Sequence, residues 1–167
     1  PCLAEHDILS WDQQYSLVTQ IVEACASTTC NVLLSLHPKM NQENYQFLQQ
    51  MFSVQFADRN LANILPASDL FIVGQGSSTI YWASLCEIPT VVTDWYGLNY
   101  RMTDDLEGVL VIKQFSQFKS ILRDLSSNAE QRDALSSKHH NQKEHLAPFD
   151  GLATNRVIDL ILSQCRK

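Results

Sequence analysis

Apolar residues occur along the chain in two patterns, short continuous runs and longer stretches at helical spacing. The runs predict strands at residues 31–36, 53–56, 70–73, 90–93 and 109–112. The helical spacing predicts helices at residues 11–26, 41–51, 60–65, 78–86, 115–125, 129–145 and 150–164. Because strands and helices alternate, we expect βαβ units, a parallel sheet and a Rossmann-like, doubly wound α/β domain with a helical C-terminal tail.

The ends of the predicted strands are where function is expected. Ligands of doubly wound folds bind at the carboxyl ends of the strands. The segments that leave those ends are residues 36–39, 74–79 and 94–101. If a strand precedes the chain, the opening loop with Glu5 and His6 faces the same crevice, and these two residues form an acid/base pair.

A turn rich in glycine and hydroxyl residues follows the strand at 70–73. It contains Gly74, Gly76, Ser77, Ser78 and Thr79, and the next helix begins there. Free backbone N–H groups and the helix dipole favour a phosphate at such a helix start. Ser and Thr are also the preferred N-cap residues of any helix, so the hydroxyl residues can equally be structural caps.

His37 and Lys39 follow the strand predicted at 31–36, with Pro38 between them. An imidazole and an ammonium at that edge could bind a diphosphate and stabilise the charge on a leaving group. The alternative is that His37 bonds to the neighbouring backbone.

The loop after the strand at 90–93 carries aromatic and charged residues. Asp94 could hold a hydroxyl group, Arg101 lies nearby in sequence, and the rings of Trp95, Tyr96 and Tyr100 could stack on a base or a sugar. Ordinary packing explains such a loop equally well. The histidines of the predicted helix at 129–145 are expected to be exposed to solvent: His139, His140 and His145.

Composition narrows the class of protein. A length of 167 residues suits one domain, and the net charge of −6 argues against binding to duplex nucleic acid. No apolar run has the length of a membrane span. The five cysteines lack CxxC spacing and are expected to be unpaired, largely buried thiols in a reducing cytoplasm, without a metal site. The opening segment, Pro1-Cys2-Leu3-Ala4-Glu5-His6, has no initiator Met and favours a fragment of a longer protein, with an expression scar or a processed terminus as alternatives.

Several short motifs together resemble a known pattern: Leu36-His37-Pro38-Lys39, Ala67-Ser68-Asp69-Leu70-Phe71, Gly76-Ser77-Ser78-Thr79, Ile88-Pro89-Thr90-Val91-Val92, and Tyr100 ahead of Gly108-Val109. They resemble the C-terminal, donor-nucleotide half of GT-B-fold proteins. The nearest groups are UDP-N-acetylglucosamine 2-epimerase-like proteins and bacterial capsule or surface-polysaccharide transferases, including sialyltransferase-like and glycerophosphotransferase-like members. The similarity covers residues 31–111, and residues 150–162 fit the closing helix.

The resemblance implies a metal-independent glycosyltransferase domain for surface-polysaccharide synthesis with a UDP- or CMP-sugar as donor. It assigns His37 to the phosphate near the leaving group, and Ser77, Ser78 and Thr79 to the phosphate contact, with Lys39 and Gly76 beside them. It also implies that a separate N-terminal half supplies the acceptor site, so that this chain alone binds a nucleotide weakly and catalyses nothing.

One departure from the family pattern lies in the helix after the hydroxyl residues. Many GT-B proteins place there a Glu that holds the ribose, whereas this chain reads Tyr81-Trp82-Ala83 and has no carboxylate before Glu87. This weakens the epimerase alternative. A non-catalytic, Rossmann-type module that binds a small ligand or a protein stays open as a further alternative.

Overall fold

The computed structural model describes residues 3–38, 40–58, 60–74, 76–99, 101–146 and 150–165. The strands are β1 (Leu33–Leu34), β2 (Gln55–Phe56), β3 (Phe71–Gly74), β4 (Thr90–Thr93) and β5 (Val109–Ile112). The α-helices are α1 (Trp11–Ala26), α2 (Phe47–Met51), α3 (Leu61–Ile64), α4 (Thr79–Leu85), α5 (Phe115–Ser127), α6 (Ala129–Leu146) and α7 (Ala153–Cys165). Short 3₁₀ helices lie at Ala4–His6, Gln42–Tyr45, Leu65–Ala67 and Arg101–Thr103.

The strands form two small parallel sheets. β1 pairs with β2, with Leu33 opposite Gln55. β4 lies between β3 and β5, so that Val91 is opposite both Ile72 and Leu110. The predicted mixed α/β class with parallel strands and a helical C-terminal tail is therefore confirmed.

The first predicted strand is much shorter than expected. Only Leu33–Leu34 of residues 31–36 is a strand, and it pairs with β2, whereas no ladder between β1 and β3 is present among the described residues. The prediction that this strand is buried on both faces is wrong, because Leu33 is 47% exposed. Val32, Leu34 and Leu36 pack against the cluster around Val22 and Tyr45, so only alternate residues are covered.

Local signals explain the helix boundaries. α1 begins after Ser10, whose side chain accepts a hydrogen bond from the backbone N–H of Gln13 in a capping box. The side chains of Asn41 and Asn60 also cap helical segments, since they accept from the backbone N–H groups of Glu43 and Ala62. The helix predicted at 41–51 is divided, since its first turn is a 3₁₀ helix and α2 begins only at Phe47.

Helices cover both faces of the β3–β4–β5 sheet. α1 and α5 pack on one face, where Val91, Ile112 and Phe118 belong to a single buried cluster with the α1 residue Ala24. On the other face, Ile80 of α4 packs against Val92 and Leu106. α6 packs against α4 and α5.

α7 differs from the other helices because none of its described residues is buried. Its large apolar side chains are about half exposed: Val157, Ile158, Leu160, Ile161 and Leu162. They lie at helical spacing, so α7 has an apolar face that the described residues leave uncovered. No helix among the described residues is both long enough and apolar enough to cross a membrane.

The four described cysteines are unpaired, as expected from their spacing. Only Cys25 is buried, and burial raises the pKa of its thiol to about 12. Cys30, Cys86 and Cys165 are exposed, so the expectation of largely buried thiols is wrong.

Candidate functional site

The parallel pairing of β3, β4 and β5 brings the segments that follow them to one carboxyl edge. Residues 76–79 follow β3, residues 94–99 follow β4, and Lys113 follows β5. Lys113 Nζ donates a hydrogen bond to Asn99 Oδ1 at 3.0 Å, which joins the loops after β4 and β5. Sequence reasoning missed Lys113, although its place directly after a predicted strand was a usable signal.

The hydroxyl residues after β3 bond mainly to one another. The hydroxyls of Ser77 and Thr79 lie 2.8 Å apart, and Ser77 Oγ accepts a hydrogen bond from the Thr79 backbone N–H at 3.4 Å. The side chain of Ser78 makes no capping bond and is exposed. Ser77 therefore has the geometry of a local cap, whereas Ser78 presents its hydroxyl to solvent at the carboxyl edge.

Asp94 builds the loop that follows β4. Its side chain is 4% exposed, and its carboxylate accepts hydrogen bonds from the backbone N–H groups of Leu98 at 2.8 Å and Asn99 at 3.1 Å. The loop also contains Gly97 and Asn99 with positive φ. Both carboxylate oxygens are thus engaged with the backbone, which makes loop geometry the role that the contacts of Asp94 show.

The aromatic and cationic residues of this loop lie in different environments, some packed against the core and others exposed to solvent. Trp95 packs edge-on against Phe115 and Phe118 at ring distances of 5.2 and 5.7 Å and is partly buried against the core cluster. This is the ordinary packing that the sequence left open, and its stacking on a ligand stays a prediction. Tyr96 is 38% exposed. Arg101 is exposed and its Nε donates to Asp104 at 3.0 Å, whereas Tyr100 lies outside the described residues.

Two buried polar atoms near the end of β4 were not singled out from the sequence. Thr93 Oγ1 and Trp95 Nε1 are buried and have no hydrogen-bond partner among the described residues. A methyl group added to Gly74 would lie 3.8 Å from Thr93 Oγ1. Buried polar atoms are normally paired, so these two atoms add unsatisfied hydrogen-bonding capacity beneath the carboxyl edge.

The opening loop lies beside the segment that follows β4. Leu3 and Leu9 pack with Leu17 of α1 and with Trp95 and Leu98. The backbone N–H of Leu3 also donates to the buried side chain of Gln14 at 3.0 Å. This places the loop at the carboxyl edge, as expected. Its two candidate residues for acid/base chemistry, Glu5 and His6, are exposed.

His37 lies three residues beyond the end of β1, in the other sheet, and is exposed. It is in a turn where its carbonyl accepts from the Met40 N–H at 2.8 Å. Lys39 lies outside the described residues. Since no described ladder joins β1 to β3, hydrogen bonding of the strands does not bring His37 to Ser77 and Ser78. Their convergence stays a prediction.

At the amino edge of the β3–β4–β5 sheet, α6 buries a histidine that the sequence predicted to be exposed. His139 of α6, expected to be solvated, is fully buried, and neither ring nitrogen has a hydrogen-bond partner among the described residues. Leu135, His139 and Leu146 follow the spacing of an inward helical face, which is the sequence signal that was missed. His140 is exposed as predicted, and the side chain of His145 is outside the described set.

Polar contacts on either side of His139 join α6 to the segments before β4 and β5. Glu87 accepts from Lys143 Nζ at 2.9 Å and lies 3.1 Å from His140 Nδ1. Both contacts lower the pKa of the Glu87 carboxyl, the bond from Lys143 most. Gln142 bonds to the Glu107 N–H at 2.7 Å and to the Asp105 carbonyl.

A groove of about 540 Å³ opens between the end of α1 and the residues that precede β2. It is lined by Thr28, Cys30 and Phe52 among others, which lie before β1 and β2 rather than after them. The groove is therefore at the amino ends of these strands, away from the segments predicted to bind a phosphate.

No cluster of three or more metal-ligating side chains is present in the part of the chain that the structure describes. The chain matches no family model, no curated protein and no solved structure.

Proposed function

We propose that this chain is the donor-nucleotide-binding domain of a GT-B-like glycosyltransferase of surface-polysaccharide synthesis. It binds the phosphate of a UDP- or CMP-sugar at the carboxyl edge of the β3–β4–β5 sheet. The observation that carries the proposal is the parallel pairing of β3 with β4, which sets the Gly76–Ser77–Ser78–Thr79 turn beside the loop that follows β4.

The shared core supports a doubly wound arrangement. Val32, which precedes β1, packs against the same buried cluster as Ile72 of β3 and as Leu70, the residue directly before β3. With β1 beside β3, the strand order is β2–β1–β3–β4–β5. The connection from β1 to β2 then leads to one side of the sheet, and the connections from β3 onward lead to the other side. That switch point is where a ligand of such a fold binds, between His37 on one side and Ser78 on the other.

Each group at this edge has a chemical part in the proposal. Ser78 contacts a phosphate oxygen through its exposed hydroxyl, and Lys39 and the imidazole of His37 neutralise charge on the leaving phosphate. Asp94 fixes the loop whose Tyr96 contacts the sugar or the base, with Tyr100 and Arg101 at its end. No bound metal is required in this scheme, because cationic side chains and backbone N–H groups supply the positive charge.

The position of Glu87 favours a transferase over an epimerase. It is the first carboxylate after the hydroxyl turn, and it is bonded to His140 and Lys143 of α6 at the amino edge. It therefore does not take the place of a ribose-binding Glu. The acceptor site and the remaining catalytic groups belong, in this proposal, to an N-terminal half of the same protein, in a cytoplasmic enzyme.

Calorimetric titration with UDP, CMP and their sugar conjugates tests the proposal. We expect weak binding that Ser78→Ala reduces by roughly fivefold, the loss of about 1 kcal/mol for one neutral hydrogen bond. His37→Ala costs about 1.5–3 kcal/mol if the imidazole is charged. Ser53→Ala, an exposed serine ahead of β2, is the matched control and leaves binding unchanged. Absence of binding to every nucleotide would contradict the proposal.

The second candidate is a non-catalytic binding module. The mutual hydrogen bond of Ser77 and Thr79 favours it, since these hydroxyls are already satisfied without a ligand. In a full-length enzyme the two functions separate clearly. A transferase loses turnover on His37→Ala more than its donor KM rises, because leaving-group charge grows toward the transition state, whereas a binding module has no turnover to lose.

A further inference from the structure

α6 is held against the amino edge of the β3–β4–β5 sheet by very few apolar groups. Over its 18 residues, Leu135 is buried beside Leu125, and Leu146 packs against Ile80 and Val92. Between these two anchors the inward position is occupied by His139. A helix of this length would normally bury an apolar residue there.

The space for the imidazole is closely fitted. Gly108 has a φ of 80°, and a methyl group added to it would lie 2.8 Å from Cδ2 and Nε2 of His139 and 2.7 Å from the Leu135 carbonyl oxygen. The ring therefore lies directly against the glycine backbone at the start of β5. The side chain has no exposed surface, so a charge on it cannot be solvated.

Every element packed against α6 contributes to the electrostatics around this ring. The segment after α4 carries exposed Cys86 and the carboxylate of Glu87, and the segment before β5 carries Asp105 and Glu107. α5 packs on α6 through Leu125, while its Arg123 and Asp124 are exposed. α6 itself adds His140 and Lys143, both at Glu87 Oε1.

Burial is the dominant influence on His139 and lowers the pKa of its imidazole below the ordinary 6.5. The backbone groups of Gly108 and Ile88, which lie near the ring without the geometry of a hydrogen bond, oppose this shift. The Glu87 carboxylate opposes it as well, and neither opposing effect outweighs burial. The docked helix thus prefers the neutral imidazole.

We propose that His139 makes the docking of α6 sensitive to pH, so that a proton on its imidazole releases α6 from the amino edge of the sheet. The released helix leaves Ile88 and Gly108 uncovered, and it frees Glu87 and the backbone of Asp105 and Glu107. The β3–β4–β5 ladder is retained, because α1, α4 and α5 still cover it. This response does not depend on the ligand proposed for the carboxyl edge.

The sign follows from linkage. A folded-state pKa below that of the released state means that the released state binds the proton more tightly. Docking is therefore fully stable above about pH 7.5 and weakens as the pH falls through the ordinary histidine range. In that range the population with α6 released rises by up to about tenfold per pH unit, the limit for uptake of one proton.

Hydrogen exchange measured by mass spectrometry between pH 7.5 and 5.5, corrected for the intrinsic exchange rate, tests the proposal. We expect protection of α6 to fall by up to about tenfold, the limit for one proton with an ordinary histidine pKa in the released state, while protection of β4 is kept. His139→Leu keeps the size of the side chain and removes the titration, so its α6 protection is independent of pH. His140→Gln is the matched control and keeps the wild-type response.

Two further measurements keep the test decisive if His139→Leu does not fold. His139→Gln supplies a smaller neutral replacement, and NMR titration of the wild-type imidazoles reports the protonation of His139 directly. Loss of α6 protection must then coincide with that protonation. Three results would each overturn the proposal. They are unchanged α6 protection down to pH 5.5, the wild-type pH response in His139→Leu and His139→Gln, and loss of β4 protection at the same pH as that of α6.

Discussion

Apart from the bond between Lys113 and Asn99, the polar groups in the loops at the carboxyl edge of the β3–β4–β5 sheet bond to near neighbours in sequence. The amino edge is closed instead by contacts with distant α6 residues. Ser77 bonds to a residue two positions away, and Asp94 to residues four and five positions away. Glu87 is bonded to residues 53 and 56 positions away. Local contacts leave a loop surface open to a ligand, while long-range contacts join separate elements, so the two edges respond differently to substitution.

The largest effect is expected for Gly108→Ala at the amino edge. The added methyl group meets the Leu135 carbonyl at 2.7 Å and the His139 ring at 2.8 Å, at a φ of 80°. We expect a loss of about 3 kcal/mol in the free energy of unfolding, from backbone strain together with displacement of α6. Urea denaturation measures it.

Gly97→Ala is the matched control for that substitution. Gly97 also has positive φ, 63°, but an added methyl group there finds no atom within 4 Å. Only the strain remains, about 1 kcal/mol. Equal losses in the two variants would show that close packing of α6 on Gly108 does not stabilise the fold.

Asp94→Ala is expected to have the next largest effect, at the carboxyl edge. It removes two charge-assisted hydrogen bonds to the backbone of Leu98 and Asn99, with a cost of about 2 kcal/mol. Because these contacts are local, hydrogen exchange should increase in residues 95–99 and stay unchanged in α6. Asp104→Ala, which removes only an exposed pair with Arg101, is the control and should leave stability nearly unchanged, because exposed ion pairs are screened by solvent.

Ser77→Ala and Ser78→Ala distinguish a cap from a ligand contact. The first removes the hydroxyl that accepts from the Thr79 N–H, so thermal unfolding should show a loss of about 1 kcal/mol. The second removes an exposed hydroxyl without a capping bond and should cost less than about 0.5 kcal/mol. The reverse order would mean that Ser78 is the cap and weaken its assignment to a phosphate.

Glu87→Gln is expected to have the smallest effect. The carboxylate is one third exposed and its partners are flexible, so the pairs together contribute about 0.5 kcal/mol, less at high salt. Because the pKa of Glu87 is lowered from 4.5, this contribution is present above that pH and is lost as the pH falls further. Stability measured from pH 5 to 3 should therefore fall less steeply in the variant, in a range below that of His139.

The sequence predicted best the elements whose signal is contained in a few residues. β4 and β5 lie at the predicted residues, and α1 begins after Ser10 because a capping box is a local device. β1 was predicted too long because an apolar run does not reveal which of its residues a neighbouring strand will pair. His139 shows the same limit, since Leu135, His139 and Leu146 mark an inward face only once α6 has a sheet to pack on.

In the candidate site, too, the sequence predicted the local features and missed the contacts between distant elements. The sequence by itself determined the mixed α/β class, the parallel connections, and the polar segments that end β3 and β4, because periodicity and turn residues act over short distances. Only the tertiary structure decided that Trp95 packs against the core cluster, that Lys113 reaches Asn99, and that a buried imidazole rests on Gly108. Those contacts depend on packing between elements far apart in the chain, whose free energy no local pattern encodes.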